Sequence, residues 1–187
     1  MILFSEYFEN SKRCIYLYIM KLEEAKQQFI NSWGVIGTQW GINRTMAQIH
    51  ALLMVSAEPL SADDVMEQLQ ISRGNANMNI RELIDWKLVD KVLKPGERKE
   101  FFTAEKDIWK VAMRITNERK RRELDPIIKV LEEIGEVEGD KKDKDVKAFT
   151  DTVTQLQKFA KQADKALSSL TKADENWFTG TILKLFK

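Results

Sequence analysis

The sequence predicts a mainly α-helical fold with one small β-hairpin wing, followed by a C-terminal helical, coiled-coil-like extension. Three observations carry that reading. Apolar residues recur at spacings of three and four along most of the chain, starting with Leu22, Ala25, Phe29 and Trp33. Eight Gly and three Pro among 187 residues are too few turn formers for a sandwich or barrel of many short strands. Two strand-like runs, 89–94 and 99–103, flank Lys94-Pro95-Gly96-Glu97, where Pro presets the first central φ and Gly supplies the positive φ of a type II turn.

Residues 1–19 share no pattern with the rest of the chain. Their apolar run from Cys14 to Met20 is seven residues long, far short of the roughly 20 needed to cross a bilayer. Glu6 and Glu9 precede it and no small-residue cleavage site comes after it, so it does not read as a secretory signal. We expect a poorly ordered extension, Met20 as the natural initiator, and a cytoplasmic protein with no membrane partner.

A first helix is expected over 21–36, after which Gly34, Gly37 and Gly41 loosen the chain. Asn43 caps a second helix to Ser56, with Met46, Ile49, Leu52 and Leu53 inward. Glu58-Pro59-Leu60 is extended, because the residue before proline avoids the helical region. Ser61 caps a helix over 62–70, with Asp63 and Asp64 in its first turn, where the helix dipole favours anions. Ser72 caps another to about Trp86, whose core face is Ala76, Ile80, Leu83 and Ile84. After the hairpin a helix runs from Glu105 through Ile108, Ala112 and Ile115. Asp125-Pro126 interrupts it, with Asp as cap and Pro at the first position of a new helix ending near Gly135.

Gly139 to Asp145 is a charged break. Beyond it Val146, Phe149, Val153, Leu156, Ala160, Ala163, Leu167 and Leu170 alternate three and four without a miss, the a/d pattern of a coiled-coil seam. That seam could pair two chains or fold back on the helix from Pro126. The apolar tail of Trp177, Phe178, Ile182, Leu183 and Phe186 needs a partner surface. The expected division is an extension at 1–19, a helix-and-hairpin domain at 20–104 and a C-terminal helical region at 105–187.

The order helix, helix, extended, helix, helix, hairpin, helix is that of a winged helix-turn-helix. The helix after Ser72 carries Arg73, Gly74, Asn75, Asn77, Met78 and Arg81 away from its core face. Asn can pair bidentately with adenine and Arg with guanine in the major groove. Gly74 keeps the helix start slim for approach to a backbone. On the hairpin, Lys94, Arg98 and Lys99 suit phosphates or, for Arg, the minor groove. Residues 72–122 hold fourteen Lys and Arg against eight Asp and Glu, net +6, while the whole chain is +1. A basic middle between acidic flanks is the footprint of a DNA-binding module.

Other chemistry is weakly represented. One His and one Cys cannot build the usual zinc sites. No nucleophile–base arrangement, phosphate loop or metal spacing occurs, so we expect no enzyme, cofactor or metal. Trp33, Trp40 and Trp109, with Phe29 and Trp86, could form an aromatic cage for a cationic effector; at helical spacing such residues are more ordinarily core. His50 reads as a packed or surface histidine, Cys14 as an unremarkable thiol, and Asp63/Asp64 and Glu132/Glu133 as helix-surface charge.

Residues 21–122 resemble the MarR family of bacterial transcriptional regulators, in particular its glycine-betaine-synthesis-repressor (GbsR-like) branch. The resembling stretches are Trp40 to Asn43, Pro59 to Val65, Ser72 to Asn77, Leu83 to Val89 and Lys94 to Phe102. The last is the most distinctive: Glu97-Arg98 stands where the family's wing tip usually reads Asp and Arg, so the resemblance gives Arg98 the minor-groove role. It also implies a homodimer on a pseudo-palindromic operator of double-stranded DNA, with the first and last helices at the dimer interface. A small-molecule effector of the choline type, bound between the lobes, is implied too. The heptad segment lies outside the common core of the family. The expected function is therefore a sequence-specific transcriptional regulator of the repressor kind. The alternative is a winged-helix interaction module joined through the C-terminal coiled coil, without direct DNA contact.

Overall fold

The computed structural model describes residues 20–140 and 142–172. Cys14, the rest of residues 1–19, and the apolar tail from Trp177 to Phe186 lie outside the described residues. The element order is α1 (Leu22–Gln39), α2 (Arg44–Val55), β1 (Leu60–Ser61), α3 (Ala62–Leu69), α4 (Arg73–Asp85), β2 (Val89–Val92), β3 (Phe101–Ala104), α5 (Ile108–Arg119), a π-helical turn (Lys120–Leu124), α6 (Asp125–Glu133) and α7 (Lys144–Lys172). The fold is mainly α with a small wing, as the periodicity predicts. No described helix is long and apolar enough to cross a membrane.

The hairpin gains a third strand. The segment after Pro59 pairs antiparallel with β3, Leu60 opposite Phe102, giving the order β1-β3-β2. Its partner β2 lies on the other side, Lys91 opposite Phe102. The main core gathers Ile30, Ile49, Leu53, Val65, Ile80, Leu83, Val89, Phe102 and Val111, so α5 shares it with the elements before it.

Two sequence expectations are corrected. Gly34 and Gly37 do not loosen the chain: both are buried inside α1. A Cβ on Gly37 would lie 2.6 Å from Ala47 Cβ, so the glycine is what lets α1 and α2 approach. The helix ends instead at Gly41, whose φ is +76°. There Ile42 N–H donates to Gly37 O and Gly41 N–H to Thr38 O, a Schellman closure.

Asp125-Pro126 does not interrupt the helix either. Proline lacks an N–H, and its ring meets the carbonyl four residues back in a regular α-helix. One π-helical turn absorbs the misfit, with Asp125 N–H donating to Lys120 O, five residues back. Asp125 caps nothing with its side chain; its carboxylate accepts from Lys120 Nζ at 2.9 Å.

The heptad stripe is split between two environments. Val153 and Ala160, from one column, are buried against Leu131, Leu124 and Ile128 of the same chain. Gln157 Nε2 donates to Leu131 O at 2.6 Å, and Asp164 pairs with Lys120 at 2.7 Å. Phe149 and Leu156, from the other column, are 42% and 47% exposed. Helix α7 therefore folds back on α5 and α6 through one half of the predicted seam and leaves the other half open.

Candidate nucleic-acid interface

Two N-caps position the recognition elements. Ser61 Oγ accepts from Asp64 N–H at 3.2 Å, while the Asp64 carboxylate accepts from Ser61 N–H and Oγ, each at 2.7 Å. This reciprocal box fixes the start of α3. The Ser61 hydroxyl first, and its backbone N–H second, hold the Asp64 carboxyl below its ordinary range. Ser72 Oγ accepts from Asn75 N–H at 3.3 Å and starts α4.

Helix α4 then buries Ala76, Asn79, Ile80 and Leu83. Asn79 was not legible as a core residue, since an amide rarely fills an apolar slot. It is 1% exposed, and its Nδ2 donates to Asn75 O at 2.8 Å and Asn75 Oδ1 at 2.6 Å. The Asn75 amide is thus turned to its own helix rather than outward. Arg73, Gly74, Asn77, Met78 and Arg81 form the exposed face. A Cβ on Gly74 would meet nothing within 4 Å among the described residues.

On the wing, Glu97 N–H donates to Lys94 O at 3.1 Å and Gly96 has φ +82°, the type II turn that the sequence predicts. Lys94 leans back, its Nζ 4.3 Å from the Phe101 ring centroid and 3.5 Å from Pro59 O. Lys91 pairs across the hairpin with Glu100. Among the described residues Arg98 and Arg81 are exposed and enter no ion pair. Asp63 links the two halves: Oδ1 lies 2.9 Å from Arg73 Nη2 and Oδ2 lies 3.0 Å from Lys99 Nζ. The hydrogen bond to Asp63, then its charge, holds the Lys99 ammonium above its ordinary range. Arg73, Asn77 and Lys99 line one cleft of about 190 Å³. Gly74, Asn77, Met78 and Arg81 line a shallow groove of about 610 Å³ beside it.

A network behind α4 escaped the sequence reading, because its partners lie up to forty residues apart. Arg122 pairs with Glu82 of α4 at 2.9 Å and with the buried Glu118, and its guanidinium sits 5.1 Å over the Trp86 ring. Arg121 first, then Arg122, hold the Glu118 carboxyl below its ordinary range against the desolvation that opposes it. Arg114 donates to the carbonyl of Lys87, a residue held at φ +59° just past α4, and pairs with Glu105 at 3.1 Å. Helix α5 and the π-helical turn thus grip the C-terminal half of α4.

The tryptophans do not converge on one cage. Trp33 packs with Phe29, centroids 5.6 Å apart, and with His50 at 6.4 Å. Trp40, 57% exposed, joins Trp86 in a different cleft of about 150 Å³, with Met46, Arg119, Arg122 and Glu82. Trp109 sits half-buried near the start of α5 and does not line the Trp40–Trp86 cleft.

Residues 40–100, from the end of α1 to the wing, match the family model described as "MarR family". Over that span, about a third of the chain, the protein is similar to the MarR family. The matched MarR span includes the whole of α4 and the Pro95-Gly96 turn. Similar proteins of Bacillus subtilis (strain 168) include the HTH-type transcriptional repressor GbsR, 27% identical over 112 residues, covering 60% of this chain and 62% of that one. The putative HTH-type transcriptional regulator YvaV is 22% identical over 88 residues, covering 47% and 50%. The HTH-type transcriptional repressor OpcR is 22% identical over 88 residues, covering 47% and 48%. The chain thus spans about half to three-fifths of the length of the curated relatives it matches. Among solved structures, a transcriptional regulator gives a TM-score of 0.48 at 16% identity, over 80% of this chain and 99% of that one. A mutant of S. aureus MepR bound to an oligodeoxyribonucleotide gives 0.37 at 16% identity, over 73% and 93%.

Proposed function

We propose that the protein is a homodimeric transcriptional regulator of the repressor kind, in which residues 20–104 read double-stranded DNA and residues 105–187 carry dimerisation. The observation that carries the reading is the outer face of α4. Asn77, Met78 and Arg81 lie exposed beside a wing whose tip presents Arg98, while the opposite face of the helix is locked into the core. Side chains able to read base edges stand free on a rigid helix, and cations able to meet phosphates stand beside them. Two such helices in a dimer would enter successive major grooves about 34 Å apart.

Support for the dimer comes from apolar surface left open on the last helices. Ile127, Val130 and Ile134 of α6 and its end, and Phe149, Leu156 and Phe159 of α7, are all more than a third exposed. A second chain would bury them. The reading of a small effector rests on the cleft of Trp40 and Trp86, where two rings stand near the carboxylates of Glu82 and Glu123. A choline-type cation would find both attractions there. It would compete with Arg122 for Glu82 and so loosen the grip on α4. Trp33 and Trp109 have no part in that cleft.

The test is anisotropy of labelled duplexes over a salt series. Binding whose logarithm falls steeply and linearly with log salt supports the reading. Asn77→Ala and Arg81→Ala are then expected to relax preference at individual base pairs by about 1–3 kcal/mol each. Absence of duplex binding at low salt refutes it in favour of a protein-docking module. Sedimentation of a chain truncated after Gly139 tests the dimer: a surviving dimer removes α7 from the interface.

A further inference from the structure

Two of the cations facing the proposed DNA surface are not free. Arg73 opens α4, Lys99 lies on the wing, and one carboxylate, that of Asp63, holds both, one oxygen to each, at 2.9 and 3.0 Å. The cleft they share is also lined by Asn77, which stands on the base-reading face. By contrast Arg81 and Arg98 enter no ion pair among the described residues. The neighbouring Asp64 supplies the capping box of α3, so removing the Asp63 carboxylate leaves that box in place.

A carboxylate that takes an Arg and a Lys on its two oxygens presents the same acceptor geometry as two oxygens of a phosphodiester. All three side chains are well exposed, 45% for Asp63, 71% for Arg73 and 60% for Lys99. Pairs this open to water are weak and exchange readily. A phosphate can therefore take the two cations, but only in competition with Asp63, whose charge then repels it.

We propose that Asp63 is an intramolecular competitor for DNA phosphate: it occupies Arg73 and Lys99 in the free protein and so lowers sequence-independent affinity. Contacts from Asn77 and Arg81 to base edges lie outside this competition. The carboxylate therefore raises the ratio of specific to non-specific binding by suppressing the term that carries no sequence information. This inference rests on the DNA-binding reading. It differs from a purely structural strut, in which Asp63 would hold Arg73 and Lys99 ready for DNA and its loss would weaken binding.

The experiment compares the full chain with Asp63→Asn on a random-sequence duplex, by anisotropy from about 50 to 200 mM salt. Expected for Asp63→Asn is tighter binding, about tenfold at the low-salt end, with a log–log salt slope steeper by about one to two, since each freed cation can neutralise one more phosphate. Adding Arg73→Gln and Lys99→Gln should abolish the gain. Asp63→Ser frees the same cations with a different side chain and should reproduce it, so poor folding of one variant leaves the other decisive. Unchanged or weaker binding with an unchanged slope in the folded variants overturns the proposal and leaves the DNA reading intact. If neither the parent chain nor any Asp63 variant binds duplex at low salt, both fall. Binding by the variants alone would support both.

Discussion

Acid should unfold this protein partly through one histidine. His50 lies on α2, is 2% exposed, and its Nε2 has no hydrogen-bond partner among the described residues. Burial without a partner disfavours the imidazolium and pushes the pKa from 6.5 down to about 4. In the unfolded chain the ring titrates near 6.5. Between these values the unfolded state binds a proton that the folded state refuses. Stability contributed by the neutral ring is therefore fully present above pH 6.5 and lost as pH falls towards 4. The slope is about 1.4 kcal/mol per pH unit, so the loss is about 2 kcal/mol at pH 5 and about 3 kcal/mol when complete. The assay is urea unfolding from pH 8 to 4.5, at one protein concentration, for the parent chain and His50→Leu. Leucine fills the slot without a nitrogen to protonate. Carboxylates held low, such as those of Asp64 and Glu118, titrate alike in both chains and cancel in the difference. The difference between the two stabilities should be flat above pH 7 and widen below 6.5 in favour of the leucine variant. Parallel curves down to pH 4.5 would refute the argument, because they would mean that the folded protein accepts the proton at no cost.

Three further outcomes are expected from the geometry. Gly37→Ala should lose about 1–2 kcal/mol despite alanine's better helix propensity, because its Cβ meets Ala47 Cβ at 2.6 Å; adding Ala47→Gly should restore most of the melting temperature, and a neutral single variant would show that α1 can move away. Lys87 holds a positive φ of 59°, so Lys87→Gly should be neutral or up to about 1 kcal/mol stabilising, while Lys87→Val should be destabilising in the same denaturant titration. Arg98→Ala should flatten the salt slope of duplex binding by about one if the side chain meets a phosphate; a loss that scales with A·T content would place it in the minor groove.

Local chemistry was legible where one residue decides it. Asn43, Ser61 and Ser72 cap the helices that the sequence assigns to them, because a short side-chain oxygen satisfies an orphan N–H within three residues. The Pro95-Gly96 turn and, apart from Asn75, the outward face of α4 were equally readable, since both derive from backbone preference and period. The MarR resemblance was carried by those same segments. Features that depend on what lies opposite were not readable. Gly34 and Gly37 look like breakers until α2 is seen pressing on them, and Pro126 looks like a helix start until the π-helical turn before it is seen to absorb its missing N–H. The unbroken a/d stripe of α7 could not show that Val153 and Ala160 would be buried against neighbouring helices while Phe149 and Leu156 stay exposed. Nor could the position of Asp63 in the chain show that it would gather Arg73 from one element and Lys99 from another. Periodicity and capping act within a few residues of one chain segment, so the sequence by itself determines the elements and their inward faces. Close approach, ion pairing and the sharing of one carboxylate between two cations depend on distances across segments, and only tertiary packing sets those.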